Sequence, residues 1–191
     1  ATFQFTFPFT LAAWVRPTSY ALWRTILVKR DSFANNDMVL AWVFTVTTGT
    51  VQLFHGTTGF AFSYVPPLNR WTHLVVTADG AVDRLYVNGT FSQQLTATAA
   101  LGTDTTAAVV LGSYNTSEAE LNGGLDDVQV WRRKLTDATI NLLYNNPYAL
   151  LLAQSPSKQY FLPAAGGLTV TPSTLALALT TFIPTVSTPS V

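Results

Sequence analysis

Residues 123–144 read GGLDDVQVWRRKLTDATINLLY. Gly123-Gly124 marks a tight turn, Leu125 to Trp131 alternates as a strand, and Arg132 to Lys134 form a basic turn. The rest is helical. Thr136 is placed to cap the helix, Asp137 complements the positive end of its dipole, and Ile140, Leu143 and Tyr144 form one apolar stripe. Pro147 stops the helix at Asn145 or Asn146. A strand running straight into a capped helix stands out because everything upstream reads as strand.

That upstream reading rests on period-two alternation and turn chemistry. Phe3, Phe5, Phe7 and Phe9 alternate with Gln4, Thr6, Pro8 and Thr10, and the pattern runs on through LAAWV to Arg16-Pro17-Thr18. Pro8 cannot donate to a ladder, so this strand is expected at an edge or bent there. TILVKR, MVLAWVFTV, VQLFH and FAFSYV follow, starting at Thr25, Met38, Val51 and Phe60. WTHLVVTA and DRLYV, from Trp71 and Asp83, lead to Asn88-Gly89 and then TFSQQL. Asn-Gly between alternating runs is the signature of a two-residue hairpin whose central residues both need positive φ. AAVVLG and LDDVQVW bring the count to at least ten strands, which means a sandwich or barrel.

Composition removes several function classes. Charged residues are 10% of the chain, against about 25% in an average soluble domain. Ten basic and ten acidic side chains cancel, so no field gathers phosphates and nucleic acid is not an expected partner. There is no cysteine, hence no disulfide and no thiolate metal site. No apolar run approaches the roughly 18 residues of a membrane span. The opening ATFQFTFPFTL has neither Met nor a basic n-region and reads as a processed or trimmed start.

Composition changes after Pro147. From Ala153 to Val191 the one charge is Lys158, and this stretch holds half of the ten prolines. TLALALTTFI sets Leu175, Leu177, Leu179 and Ile183 on one face in strand period, with Phe182 beside them. We read 1–146 as one β-sandwich domain and 147–191 as an extended, apolar, Pro- and Thr-rich arm, too poor in apolar residues for its own core. Its expected role is assembly on neighbouring subunits.

Four segments carry a family resemblance: FTLAAWVRPTS from Phe9, TILVKRD from Thr25, NRWTHLVVTADGAVDRLYVNG from Asn69, and LGSYNTSEAELNGGLDDVQVWRRKLTDATINLLY from Leu111. Together they resemble laminin G-like domains of the concanavalin A-like superfamily. The resemblance covers roughly residues 1–146. It implies an all-β jelly-roll sandwich of two antiparallel sheets, closed by one short C-terminal helix. The run YNNPYALL and the tail after it are similar to laminin G-like proteins of tailed bacteriophages.

The resemblance also raises candidate sites. Laminin G-like domains hold Ca²⁺ at the sandwich rim through hard oxygen ligands. Here the sources would be Asp31 and Asp37, with Asn35 and Asn36, or the pair Asp126-Asp127. Adjacent strand residues face opposite sides, so from a regular strand only one of that pair can ligate, and Asp126 is our candidate. Sugar binding needs exposed aromatic rings, and Tyr20, Trp23, Phe33 and Tyr114 fall in or near loops. Trp14, Trp42, Trp71 and Trp131 lie in strands and are expected in the core. Retaining glycoside hydrolysis needs two carboxyl groups about 5–5.5 Å apart. The nearest approach, Glu118-Ala119-Glu120, sits in a polar loop without the third acid of related glucanases. His73 reads as a structural strand histidine and His55 as an exposed one.

The sequence therefore points to a non-catalytic interaction module. Its expected setting is a virion surface, as a phage capsid decoration or fibre-type protein among capsid or tail subunits. The alternative is an extracellular carbohydrate-binding adhesion module of a secreted bacterial protein, with glycans as partners.

Overall fold

In the computed structural model the described residues are 3–30, 38–114 and 119–148. Ten strands and one helix lie among them: β1 (Phe9–Pro17), β2 (Arg24–Lys29), β3 (Leu40–Phe44), β4 (Val51–His55), β5 (Thr58–Ala61), β6 (Thr72–Ala78), β7 (Val82–Val87), β8 (Thr90–Thr96), β9 (Val109–Leu111), β10 (Gly123–Trp131) and α1 (Asp137–Asn145). They form two antiparallel sheets of five strands. Sheet A has the order β10-β1-β6-β7-β8 and sheet B the order β5-β4-β3-β2-β9. This is the expected all-β jelly-roll sandwich with one short helix.

The interior follows from alternation. Phe9, Leu11, Ala13 and Val15 of β1, with Leu74, Val76 and Ala78 of β6, meet Leu40, Trp42 and Phe44 of β3 in one cluster. Each fully buried large side chain contributes roughly 1.5–3 kcal/mol relative to exposure. The Asn88-Gly89 hairpin has the expected geometry, with φ of 49° and 78° at its two central residues.

Three expectations need correction. β1 begins at Phe9 and is flanked by β10 and β6, so of the two expectations for Pro8 the edge fails and the bend holds, at residues 7–8 on entry to a central strand. Phe3 to Pro8 form no strand, although Phe5 still reaches the core. Trp71 is not a core residue: it precedes β6 and is 45% exposed, whereas Trp42 is fully buried. His55 is likewise not exposed. It ends β4 facing inward, among the rings of Phe7, Phe9 and Phe60, with Nε2 3.1 Å from an Asp83 carboxylate oxygen of β7. Both side chains of this inter-sheet pair are fully buried. Burial pushes the Asp83 pKa up, against the pull of His55.

α1 covers part of the outer face of sheet A. Its buried Ile140 and Leu143 join Leu135 in packing on Ala12, Val75 and Tyr86. Polar contacts fix the helix there. The Tyr86 hydroxyl donates to Asp137 (2.7 Å), Thr136 caps the Thr139 amide, and the Thr10 hydroxyl donates to the Arg133 carbonyl while accepting from the Leu135 amide. Lys134 pairs with Asp79 at 2.7 Å, and this hydrogen bond is the main reason the Asp79 pKa falls to about 2.

Candidate functional site

The outer face of sheet B carries a groove of about 730 Å³. Its origin is a contrast of side-chain size. On β3 the large Leu40, Trp42 and Phe44 point into the core, so Ala41 and Val43 point out and give a low floor. Thr25 of β2 extends that floor. Larger groups stand around it: Trp23, Met38, Phe54 and Tyr114.

Contacts hold the walls in place. Trp23 and Phe54 meet edge to face with centroids 6.1 Å apart. The Tyr114 ring lies under the Arg30 guanidinium at 4.5 Å, and its hydroxyl donates to the Met38 sulfur. Arg24 is buried, and its Nη1 donates to the Glu120 carbonyl at 2.9 Å. The Thr25 amide donates to the Ala119 carbonyl, so backbone from 119–120 is tied to β2 as a wall. Polar groups at the groove thus include Arg24, Thr25 and Glu120 against a mostly apolar lining.

Two of the candidate sugar-binding aromatics, Trp23 and Tyr114, come together here. Tyr20 does not line the groove. Its ring packs against the inter-sheet core beside Phe44, and its hydroxyl donates to the Pro66 carbonyl at 2.6 Å. Burial raises the Tyr20 phenol well above its ordinary value, with Tyr64 adding to the shift. Phe33, Asp31, Asp37, Glu118 and the arm residues Leu175, Leu177, Leu179, Phe182 and Ile183 lie outside the described residues. Phe54, Met38 and Arg24 were missed by sequence reasoning. The signal was present in LAWVF, where residues alternate in size and not in polarity, and that leaves a hollow outside wherever it packs a ridge inside.

The Asp126-Asp127 pair departs from regular strand geometry. Ala12 pairs with Gln129 but Trp14 with Asp126, so two β10 residues oppose one on β1. Asp127 takes φ 46° at this bulge. Both residues line one cleft with Trp14, Trp71, Pro147 and Tyr148, where regular alternation would have separated them. Ca²⁺ takes six to eight oxygens, and no group of three or more His, Cys, Asp or Glu able to hold a metal occurs among the described residues. One oxygen of each Asp is also engaged: Asp126 accepts from the Asp127 amide and Asp127 from Gln129 Nε2.

His73 is buried beneath Trp14 and Tyr144, at ring distances of 5.2 and 6.0 Å. Desolvation lowers its pKa from 6.5 to about 4, against an opposing pull from Asp127.

A two-sheet antiparallel sandwich with a closing helix defines the class of jelly-roll sandwiches. The chain belongs to the concanavalin A-like lectin/glucanases superfamily, whose laminin G model matches residues 1–141. No protein of curated function matches it by sequence. Among solved structures it is similar to a heptameric SAP-like pentraxin from Limulus polyphemus, at 21% identity, TM-score 0.56, over 72% of this chain and 69% of that one. Domain 4 of AbnA, a GH43 extracellular arabinanase from Geobacillus stearothermophilus solved with arabinotriose, matches at 17% identity, TM-score 0.57, over 72% of this chain and 66% of that one. The botulinum neurotoxin serotype G binding domain matches at 15% identity and TM-score 0.57, over 75% of this chain. The chain spans only 37% of that last protein. At these identities the likeness is one of fold.

Proposed function

We propose that this chain is a non-catalytic binding module that takes a glycan in the groove on sheet B. The observation that carries this reading is the low Ala41-Val43 floor walled by the Trp23, Phe54 and Tyr114 rings. Flat rings stack on the apolar faces of sugars, and Arg24, Thr25 and Glu120 offer a few polar groups to orient hydroxyls, the usual make-up of a small-molecule site. The arabinotriose complex of the arabinanase domain, a similar fold, supports the same class of ligand. Hydrolysis is not part of the proposal, since the described lining holds one carboxylate, Glu120, where that chemistry takes two.

A glycan array followed by titration tests this. We expect saturable binding, weakened at least tenfold by Trp23→Ala and by Tyr114→Ala. Absence of any retained glycan, or affinity unchanged from the parent protein in both variants, would sink the groove reading.

For the setting, we propose the outside of a phage particle, with residues 147–191 fastening the module to capsid or tail subunits through Leu175, Leu177, Leu179, Phe182 and Ile183. Support comes from the composition of that arm and from the resemblance of the YNNPYALL run and its tail to laminin G-like proteins of tailed bacteriophages. The alternative is an extracellular adhesion module. Among the described residues no helix is long and apolar enough to cross a membrane. Copurification with a major virion protein in fixed stoichiometry, lost on deleting residues 170–191, is the expected result. Unchanged assembly after that deletion would refute attachment through the arm.

A further inference from the structure

We propose that the cleft between Trp14, Trp71, Asp126, Asp127 and Tyr148, on the outer side of sheet A, is a second ligand site that takes an organic ammonium group. It is independent of the sheet B groove.

Three observations converge on this chemistry. The first is aromatic exposure. Trp71 is 45% and Tyr148 61% exposed, and Trp14 forms the inner wall, stacked on Tyr144 with centroids 5.5 Å apart. Gly124 makes room for the Trp71 ring, because a Cβ there would fall 2.7 Å from the indole. The indole is therefore seated against β10 and not adrift in solvent.

The second observation is uncompensated charge. In a chain with only ten acidic residues, two adjacent ones line one cleft, at the bulge in β10. The ion pairs among the described residues are His55–Asp83 and Lys134–Asp79, and neither Asp126 nor Asp127 joins one. Each has an oxygen held by an internal hydrogen bond, which fixes its direction without neutralising it.

The third observation is an internal precedent. The Arg16 guanidinium lies over the Trp71 ring, 5.5 Å from its centroid, so this ring already attracts a cation. Arg16 does not line the cleft itself.

Aromatic faces and carboxylates together select a cation that carries apolar substituents. A bare metal ion gains little from indole faces, and a neutral sugar, although its hydroxyls can donate to carboxylates, leaves their net charge unbalanced. A volume of about 310 Å³ suits one such headgroup. The ammonium group could come from an amino sugar or from a lysine side chain, and the two are separable.

The test is a titration of the full chain, followed through its Trp indole N–H signals by NMR. The probe is tetramethylammonium, with tert-butanol as the uncharged isostere. Glucosamine against N-acetylglucosamine forms one arm, and a trimethyllysine peptide against its unmodified-alanine counterpart the other. Saturable, millimolar binding of tetramethylammonium but not tert-butanol is expected. Trp71→Ala and Asp126→Asn should each weaken it at least fivefold, whereas Trp23→Ala in the groove should leave it unchanged. Arg16→Gln should strengthen binding two- to threefold by removing a like charge, a change opposite in sign to that expected from mere loss of structure. Asp126 is exposed, so Asp126→Asn leaves the fold intact and melting curves verify this. Three results would overturn the proposal: no saturation, equal response to tert-butanol, or displacement by Ca²⁺ with an affinity that Trp71→Ala does not alter.

Discussion

The two sheets turn apolar residues outward as well as inward, but among the described residues a helix covers only the outer face of sheet A. On sheet A, Ala12, Val75 and Tyr86 lie under Leu135, Ile140 and Leu143. On sheet B, Val28, Ala41 and Val43 meet Met38, Phe54, Val110 and Tyr114 around an open groove. Both faces have small residues at their centre. A helix fills the hollow on one side, and rings standing at the rim keep the other hollow open. The same strand patterning therefore stabilises the fold on sheet A and leaves a concave apolar surface on sheet B, on which the proposed glycan site rests.

The sharpest way to break this comparison is to empty the covered face. Leu143→Ala and Ile140→Ala should each cost about 2–5 kcal/mol, through lost transfer energy and the cavity left behind. Denaturant unfolding measures it. A loss below 1 kcal/mol would mean the helix merely rests on sheet A.

Acid should act on the same face through His73. Its pKa falls from 6.5 to about 4 on folding, so the unfolded chain takes up the proton first. Stability from this residue is complete above pH 6.5 and is lost as pH drops through the window toward 4. The loss is about 3 kcal/mol by linkage. His73→Gln should flatten that part of the pH–stability curve, and an unchanged slope would show that other groups carry it.

Thr136→Ala removes the cap from the Thr139 amide and should lower stability by about 1 kcal/mol, again on the sheet A side. The smallest stability effect is expected across the sandwich. Trp23→Ala trims a side chain already 39% exposed and should shift stability by about 0.5 kcal/mol or less while removing ligand binding. Thermal melts beside a glycan titration separate the two. A large fall in melting temperature would make Trp23 part of the framework, and the contrast between the faces would fail.

Much of the architecture was legible because it is local. Asn88-Gly89, the Thr136 cap and the β-branched run in WTHLVVTA each encode their structure within a few residues. The outcomes that escaped sequence reading all depend on residues far apart in the chain. His55 looked exposed beside Gly56 because nothing near it announces that Asp83 arrives from the opposite sheet. Trp71 looked like core because its strand is, yet it stands just before β6 begins. Asp126 and Asp127 looked like neighbours on opposite faces until the register with β1 slipped by one residue.

The candidate groove divides in the same way. Trp23 and Tyr114 were recognisable as aromatics in loops, while Tyr20, chosen on identical grounds, belongs to the inter-sheet core. Ring type and loop position do not distinguish a residue that caps the core from one that rims a hollow. By itself, then, the sequence determined the sandwich, the hairpins, the closing helix and the family, because periodicity and turn stereochemistry act over short stretches of chain. The tertiary structure alone decided which outer face is covered, which aromatics share a groove and which carboxylates share a cleft. Those outcomes turn on contacts such as Arg24 with the Glu120 carbonyl, 96 residues apart, which no local pattern records.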